Sequence, residues 1–182
     1  MQFFNHFRRV GLLILSKSEI MEGIEKRSLA SEYIDLGKQI QPSSLDMTVA
    51  KLYRITSKGS IDFDNSQRVL SKTEEVAFDA EGWADLPAGE YKLQFNEVLS
   101  LPLDVAAITI LRSSVMRCGC MMHSGFWDPG YTGRGESVLL VGSQGLRIKK
   151  NAKIAQAVFY RLSTPAGEGY AGVHQNEGTE KK

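Results

Sequence analysis

Cysteine is scarce in this 182-residue chain, and long apolar runs and an excess of either charge are absent. The 22 lysine and arginine residues nearly cancel the 21 acidic residues, which argues against both a nucleic-acid-binding protein and a disordered acidic one. The apolar run at 10–15 is too short to span a membrane, and no small-residue cleavage site follows it. We therefore expect one domain with no nucleic-acid or membrane partner, in which a local cluster of charges must hold any anionic ligand.

The only two cysteines, Cys118 and Cys120, are two residues apart. On a strand they would share a face, which is a poor geometry for a disulfide, so we expect reduced thiols and a cytoplasmic protein. The spacing C-x-C-x-x-H, ending at His123, supplies three zinc ligands without a fourth. Buried or half-buried thiols are therefore the preferred interpretation.

The remaining patterns predict a mainly β domain with one short N-terminal helix. Ser16 and Glu19 form a capping box, and apolar residues at helical spacing follow them. From Ile40 onward the chain reads as short strands separated by turn-forming residues, with the strand segments at 45–55, 92–101, 106–114, 137–143 and 154–162. We divide the chain into an N-terminal extension (1–14), a β domain (15–163) and a flexible C-terminal tail (164–182).

The tail has too few apolar side chains to order itself. It nevertheless contains Tyr170, His174 and Gln175, which are more chemically capable than a solubilising tail requires. A tail that orders over a bound ligand and closes the active site would explain them.

Two polar clusters follow apolar strands. Arg112, Ser113 and Ser114 with the nearby Arg117 offer hydroxyls, backbone N–H groups and two guanidinium groups, a set suited to phosphate oxygens. The alternative is a surface turn with a chance arginine. In "GFWDPGYTGRG", Asp128 sits on a tight turn where it could orient and deprotonate a water, although it could also merely cap that turn.

Five motifs in this order resemble those of the dUTPase and dCTP deaminase superfamily, with the archaeal-type dUTP diphosphatases as the best match. They are "SSLDMTV" (43–49), "RSSVMR" (112–117), "SGFWDPGYTG" (124–133), "KIAQAVF" (153–159) and "GYAGVHQNEG" (169–178). The resemblance implies a distorted β-barrel or jelly-roll core. It also implies a homotrimer whose active sites are shared between subunits.

The resemblance further implies a role for each motif. The triphosphate would be bound by Arg112, Ser113, Ser114, Arg117, Gln156, Tyr170 and Gln175. The hairpin residues Gly125, Phe126, Trp127 and Tyr131 would hold the base and deoxyribose, with the Tyr131 ring on the sugar. Asp128 would activate the attacking water. Asp46 would help to hold Mg²⁺ through a water, or would instead be a structural acid that caps a turn.

The reaction implied is hydrolysis of dUTP to dUMP and pyrophosphate by attack of water on the α-phosphorus. Deaminases of this superfamily carry a glutamate in the strand after the hairpin, but "SVLLVGS" (137–143) contains no acid, and Glu136 is displaced by the extra Arg134 and Gly135. In contrast, "DPG" and the tail look more like a deaminase. The alternatives are a dCTP deaminase, monofunctional or bifunctional, and a non-catalytic nucleotide-binding homologue.

Overall fold

The structure, a computed structural model, describes residues 13–179. The elements in this part of the chain are β1 (Leu13–Ile14), α1 (Lys17–Arg27), β2 (Ala30–Ser31), α2 (Leu36–Gln39), β3 (Leu45–Ile55), β4 (Thr73–Glu75), β5 (Trp83–Leu86), β6 (Gly89–Phe95), β7 (Val98–Ser100), β8 (Val105–Leu111), α3 (Ser113–Met116), β9 (Cys120–Ser124), β10 (Thr132–Gly133), β11 (Glu136–Val141), β12 (Leu146–Lys149) and β13 (Lys153–Arg161). The predicted extension at 1–14 lies outside the described residues, except for the two residues of β1. The last three residues of the predicted tail also lie outside them.

The main sheet is antiparallel and curls on itself. Its strand order is β1-β13-β3-β6-β11-β9. Two strands lie off this path: β8 also pairs with β13, and β4 pairs with β3. The two ends of this sheet approach each other, because Ala107 of β8 bridges Trp127 just after β9, and the Ser124 hydroxyl donates to the Thr109 carbonyl at 3.3 Å. The predicted barrel-like β fold is confirmed.

The helix prediction is also confirmed in detail. Ser16 is the N-cap of α1, and its hydroxyl and the Glu19 carboxylate form the reciprocal capping box. Ile20 is the fully buried contact of this helix with the core. The two single-turn helices α2 and α3 were not expected, because four residues are too few to show a helical period.

Two strand predictions need correction. The segment 92–101 is not one strand, because β6 ends at Phe95 and β7 begins at Val98. Between them lies Glu97, which turns its carboxylate into the core. The segment 106–114 is strand only up to Leu111, after which the chain forms α3.

The core lies inside the curl of the sheet, where large apolar side chains from β3, β6, β11 and β13 meet. Its fully buried members include Leu45, Met47, Leu52, Phe95, Leu139 and Phe159. The first half of β3 is buried on both faces, so polar residues of that strand are buried with the apolar ones. This double burial takes Asp46 out of solvent.

Candidate functional site

The first cluster of predicted site residues, here called the phosphate cluster, forms where three neighbouring strands meet. Gln156 of β13 lies opposite Asp46 of β3 on one side and opposite Ile110 of β8 on the other. The Arg112 N–H, just past β8, donates to the Ile154 carbonyl at 3.0 Å. The strand pairing therefore brings together residues that are far apart in sequence.

Asp46 is the negative centre of this phosphate cluster and is fully buried. Its Oδ1 lies 3.4 Å from Nε of Arg112, and its Oδ2 lies 3.1 Å from Nζ of Lys153. The side-chain amide of Gln41 also donates to Oδ2, at 3.2 Å. The carboxylate therefore faces two cations and an amide.

The hydroxyl and guanidinium groups of "RSSVMR" lie around α3. Arg112 is the N-cap residue, and Ser113 and Ser114 form the exposed first turn. Arg117 ends the same helix and is also exposed. These side chains are open to an anionic ligand, and Gln156 lies beside them with its amide donating to the Ser44 hydroxyl at 3.1 Å.

The second cluster is a pocket of about 250 Å³ around the hairpin, here called the nucleoside pocket. Its lining residues come from the hairpin, the start of β11 and the tail: Gly125, Phe126, Trp127, Asp128, Tyr131, Gly135, Glu136, Tyr170, His174 and Glu177. The predicted base and deoxyribose residues thus lie together, although their exposure differs. Trp127 and Tyr131 are 5% and 7% exposed, whereas Phe126 is 61% exposed.

Three aromatic rings stiffen this pocket. The Tyr131 ring meets Trp127 edge-on at 5.4 Å and Tyr170 at 5.6 Å. Burial, and then the nearby Glu177 carboxylate, raise the pKa of Tyr131 far above its usual range. Tyr131 therefore presents a neutral ring at any physiological pH.

Asp128 is exposed at the mouth of the nucleoside pocket. Its backbone carbonyl accepts from the Tyr131 N–H at 3.2 Å, which closes the turn that contains Pro129. The carboxylate thus lies on a fixed turn and can reach a ligand in the pocket. This geometry suits a group that orients water.

The tail lies along the hairpin of its own chain. The Tyr170 N–H donates to the Pro129 carbonyl at 2.8 Å. The Gln175 side chain donates to the Gly130 carbonyl at 2.9 Å and accepts from the Thr132 N–H at 3.0 Å. Tyr170 and Gln175 therefore border the nucleoside pocket of this chain, and their predicted role as phosphate contacts stays a prediction.

Glu136 begins β11 and also lines the nucleoside pocket. Its carboxylate forms an ion pair with Lys92 of β6 at 2.8 Å. The remaining side chains of β11 carry no acid. The acid next to the hairpin is thus tied to a lysine of the neighbouring strand.

Sequence reasoning missed Lys92, Lys153 and Glu97. Lys153 opens the motif "KIAQAVF" but was given no role, and Lys92 lies outside every motif, because lysines on strands are usually solvated. Glu97 is fully buried and accepts hydrogen bonds from the Gln39 amide at 2.7 Å and the Thr48 N–H at 2.8 Å. Since the Gln39 amide also donates to the Asp46 carbonyl, at 2.9 Å, this buried network supports the strand beneath the phosphate cluster.

The cysteine prediction was only half right. Cys120 is buried at the start of β9, but Cys118 is exposed in the turn after α3. Across residues 13–179, no group of three or more histidine, cysteine or acidic side chains is arranged to hold a metal ion. No helix in the same range is both long and apolar enough to cross a membrane.

The sequence comparisons all match most of this chain. Residues 14–162 match the sequence profile of a family described as dCTP deaminase-like. A probable deoxyuridine 5'-triphosphate nucleotidohydrolase of Methanosarcina acetivorans is 42% identical over 93% of this chain and 100% of its own length. A protein of the same name from Archaeoglobus fulgidus is 42% identical over 91% of this chain and 98% of its own.

Among solved structures, the 2'-deoxycytidine 5'-triphosphate deaminase of Agrobacterium tumefaciens superposes with a TM-score of 0.62. The match covers 81% of this chain and 48% of that protein, at 22% identity. At this identity the superposition supports the fold alone.

Proposed function

The chain belongs to the dCTP deaminase-like family, and we propose that it hydrolyses dUTP to dUMP and pyrophosphate. One observation carries this proposal: relatives named as deoxyuridine triphosphate nucleotidohydrolases match over nearly the whole chain at 42% identity. The nucleoside pocket and the phosphate cluster supply the two half-sites that such a substrate needs.

In the proposed mechanism, Asp128 orients a water in the nucleoside pocket and removes its proton. The oxygen of this water forms a bond to the α-phosphorus while the bond from that phosphorus to the bridging oxygen breaks. Pyrophosphate leaves with the bonding electron pair, and Arg112 and Arg117 neutralise the charge that moves onto it. Exposure of both the Asp128 carboxylate and the Arg117 side chain supports these roles.

The two half-sites lie at different ends of β8. Ala107 bridges the hairpin at Trp127, whereas Arg112 follows the other end, five residues further on. At the usual rise of a strand this separates them by about 17 Å. This separation supports a site that combines the phosphate cluster of one subunit with the nucleoside pocket of another, as in the predicted homotrimer.

Exposed apolar side chains beside the half-sites also support self-association. Ile110 and Phe126 are 45% and 61% exposed, and both border a recess between β8 and the hairpin. A second copy of the chain would remove this apolar surface from water.

Mg²⁺ remains a predicted partner of the substrate triphosphate, since hard oxygen ligands suit that ion. The Oδ1 atom of Asp46 accepts no hydrogen bond in the structure. The carboxylate nevertheless does not fit the predicted Mg²⁺ contact, because it is fully buried and two cations, Arg112 and Lys153, already neutralise its charge. No step of the mechanism above is therefore routed through a metal.

The main alternative, deamination of dCTP, needs a group that transfers protons at the base. In β11 the residues after Glu136 are apolar except for Ser137, and none of these side chains cycles a proton near neutral pH. Glu136 is the acid of this strand that borders the pocket, and its carboxylate is engaged in an ion pair with Lys92 at 2.8 Å. This pairing favours the hydrolase.

The test is product analysis with purified protein, incubated separately with dUTP and dCTP in the presence of Mg²⁺. We expect dUMP and pyrophosphate from dUTP, and no ammonia from dCTP. Release of ammonia from dCTP at a rate comparable to dUTP hydrolysis would contradict the proposal. The variant Glu136→Gln would then show whether Glu136 is the group responsible.

A further inference from the structure

Lys153 has no role in the mechanism above, yet it lies at the centre of the phosphate cluster. Its Nζ forms the ion pair with Asp46 at 3.1 Å and donates to the Lys38 carbonyl, also at 3.1 Å. Its side chain is about one-third exposed, and it borders a recess of about 250 Å³ together with Ser114. Lys153 therefore faces the same space as a predicted phosphate ligand.

The ammonium group of Lys153 has a donor left for a ligand. A lysine ammonium has three N–H donors; one is donated to the Lys38 carbonyl, and the ion pair with Asp46 takes up one further side of the group. Arg112 is held in a similar way, because its Nε faces Asp46 and its Nη1 donates to the Lys153 carbonyl at 3.3 Å. One buried carboxylate thus fixes two cations whose outer sides reach solvent.

We propose that Lys153 is a further triphosphate-binding residue, and that Asp46 is a positioning residue for Lys153 and Arg112 and not a magnesium contact. This inference deepens the proposed function, because it enlarges the phosphate-binding set of the same site. Fixed cations lose less side-chain entropy on binding an anion than free ones do. That saving is what Asp46 contributes.

The direction in which Asp46→Asn changes anion binding separates a positioning role of Asp46 from a purely electrostatic or a metal-binding role. A carboxylate that acts only by its charge repels phosphate, so Asp46→Asn would then strengthen anion binding. A carboxylate that acts through Mg²⁺ would matter only when the metal is present. A carboxylate that positions Lys153 and Arg112 must weaken anion binding on removal even without metal.

The experiment measures binding of inorganic tripolyphosphate to the full chain by calorimetry in EDTA. We expect Lys153→Gln to weaken binding about tenfold, the usual effect of losing one charge-assisted contact. Asp46→Asn should weaken binding as well, and Lys153→Gln should have less than a threefold further effect in that background. Lys150→Gln, an exposed lysine of the preceding turn, is the matched control and should change binding less than twofold.

Deoxyuridine binding, measured in parallel, should be the same in all variants. Full tripolyphosphate affinity in Lys153→Gln would overturn the inference, as would unchanged or stronger binding by Asp46→Asn in EDTA. If Asp46→Asn fails to fold, Lys153→Gln still decides whether Lys153 binds the anion, because that side chain is partly exposed. Asp46→Glu, which keeps the charge but shifts it, then tests the positioning role and should weaken tripolyphosphate binding in EDTA; unchanged binding would overturn that role. Absence of dUTP hydrolysis by the wild-type chain would instead refute the proposed function, and the separate dUTP assay reports it independently of the binding measurements.

Discussion

Gly130→Ala should detach the tail from the hairpin. Gly130 has a φ of +84°, and a Cβ built there would lie 2.6 Å from Cα of Gly169 and 2.9 Å from N of Tyr170. Both neighbours are backbone atoms, so no side chain can rotate away. To reach an ordinary contact of 3.4 Å, the tail backbone must move away by about 0.8 Å. That movement would lengthen the hydrogen bond from the Tyr170 N–H to the Pro129 carbonyl from 2.8 Å to about 3.6 Å, which is beyond hydrogen-bonding range.

Hydrogen exchange of residues 170–178 measures the effect directly. In Gly130→Ala, these amides should lose their protection, and left-handed backbone strain should lower the free energy of unfolding by about 1–2 kcal/mol. Gly119→Ala is the matched control, because Gly119 has a similar φ of +78° but nothing within 4 Å of the added Cβ. Gly119→Ala should lower the free energy of unfolding by a similar amount but leave the protection of the tail amides unchanged. Unchanged protection of the tail in Gly130→Ala would refute this reasoning.

Three further predictions concern the base, the core and the first helix. Asp128→Asn should lower turnover by roughly 100-fold or more while a non-hydrolysable dUTP analogue still binds, since only the proton acceptor is lost; near-normal turnover in steady-state assays would remove Asp128 from this role. Glu97→Gln should lower the free energy of unfolding in urea by about 1–3 kcal/mol, because its N–H₂ would face donors from Thr48 or Gln39. Burial raises the pKa of Glu97 above its usual 4.5. The stabilisation that comes from protonated Glu97 is therefore complete below about pH 4.5 and declines as the pH rises through the raised pKa. The Gln variant should lack this pH dependence of the free energy of unfolding. Ser16→Ala should cost about 1 kcal/mol in thermal unfolding because it breaks the capping box, and an unchanged melting temperature would contradict this.

Local patterns predicted the elements whose structure is decided locally. The bounds of β3 at 45–55 were exact, and the capping box at Ser16 placed the start of α1. The break at Glu97 could not be predicted, because its cause is a set of partners on α2 and β3, 49 or more residues away in sequence. Strand alternation gave no warning that Asp46 is buried, since both faces of β3 are covered there.

In the candidate site too, the residues could be predicted from local motifs, whereas their contacts depend on distant partners. Motif order predicted the residues assigned to both half-sites, but their grouping in space depends on the register of β3, β13 and β8. Lys153 stood in a recognised motif, but its contacts could not be predicted, because its partners Asp46 and Lys38 are far away along the chain. The tail contains too few apolar residues to order alone, and its place follows from hydrogen bonds to the hairpin.

Isotope labelling tests the central claim, attack of water on the α-phosphorus of dUTP, most directly. The wild-type protein is incubated with dUTP in water enriched in ¹⁸O, and the products are analysed by mass spectrometry. The account predicts one ¹⁸O atom in the phosphate of dUMP and none in pyrophosphate. Label in pyrophosphate with none in dUMP would show that water attacks the β-phosphorus, and it would contradict the placement of Asp128 and the nucleoside pocket at the reacting atom.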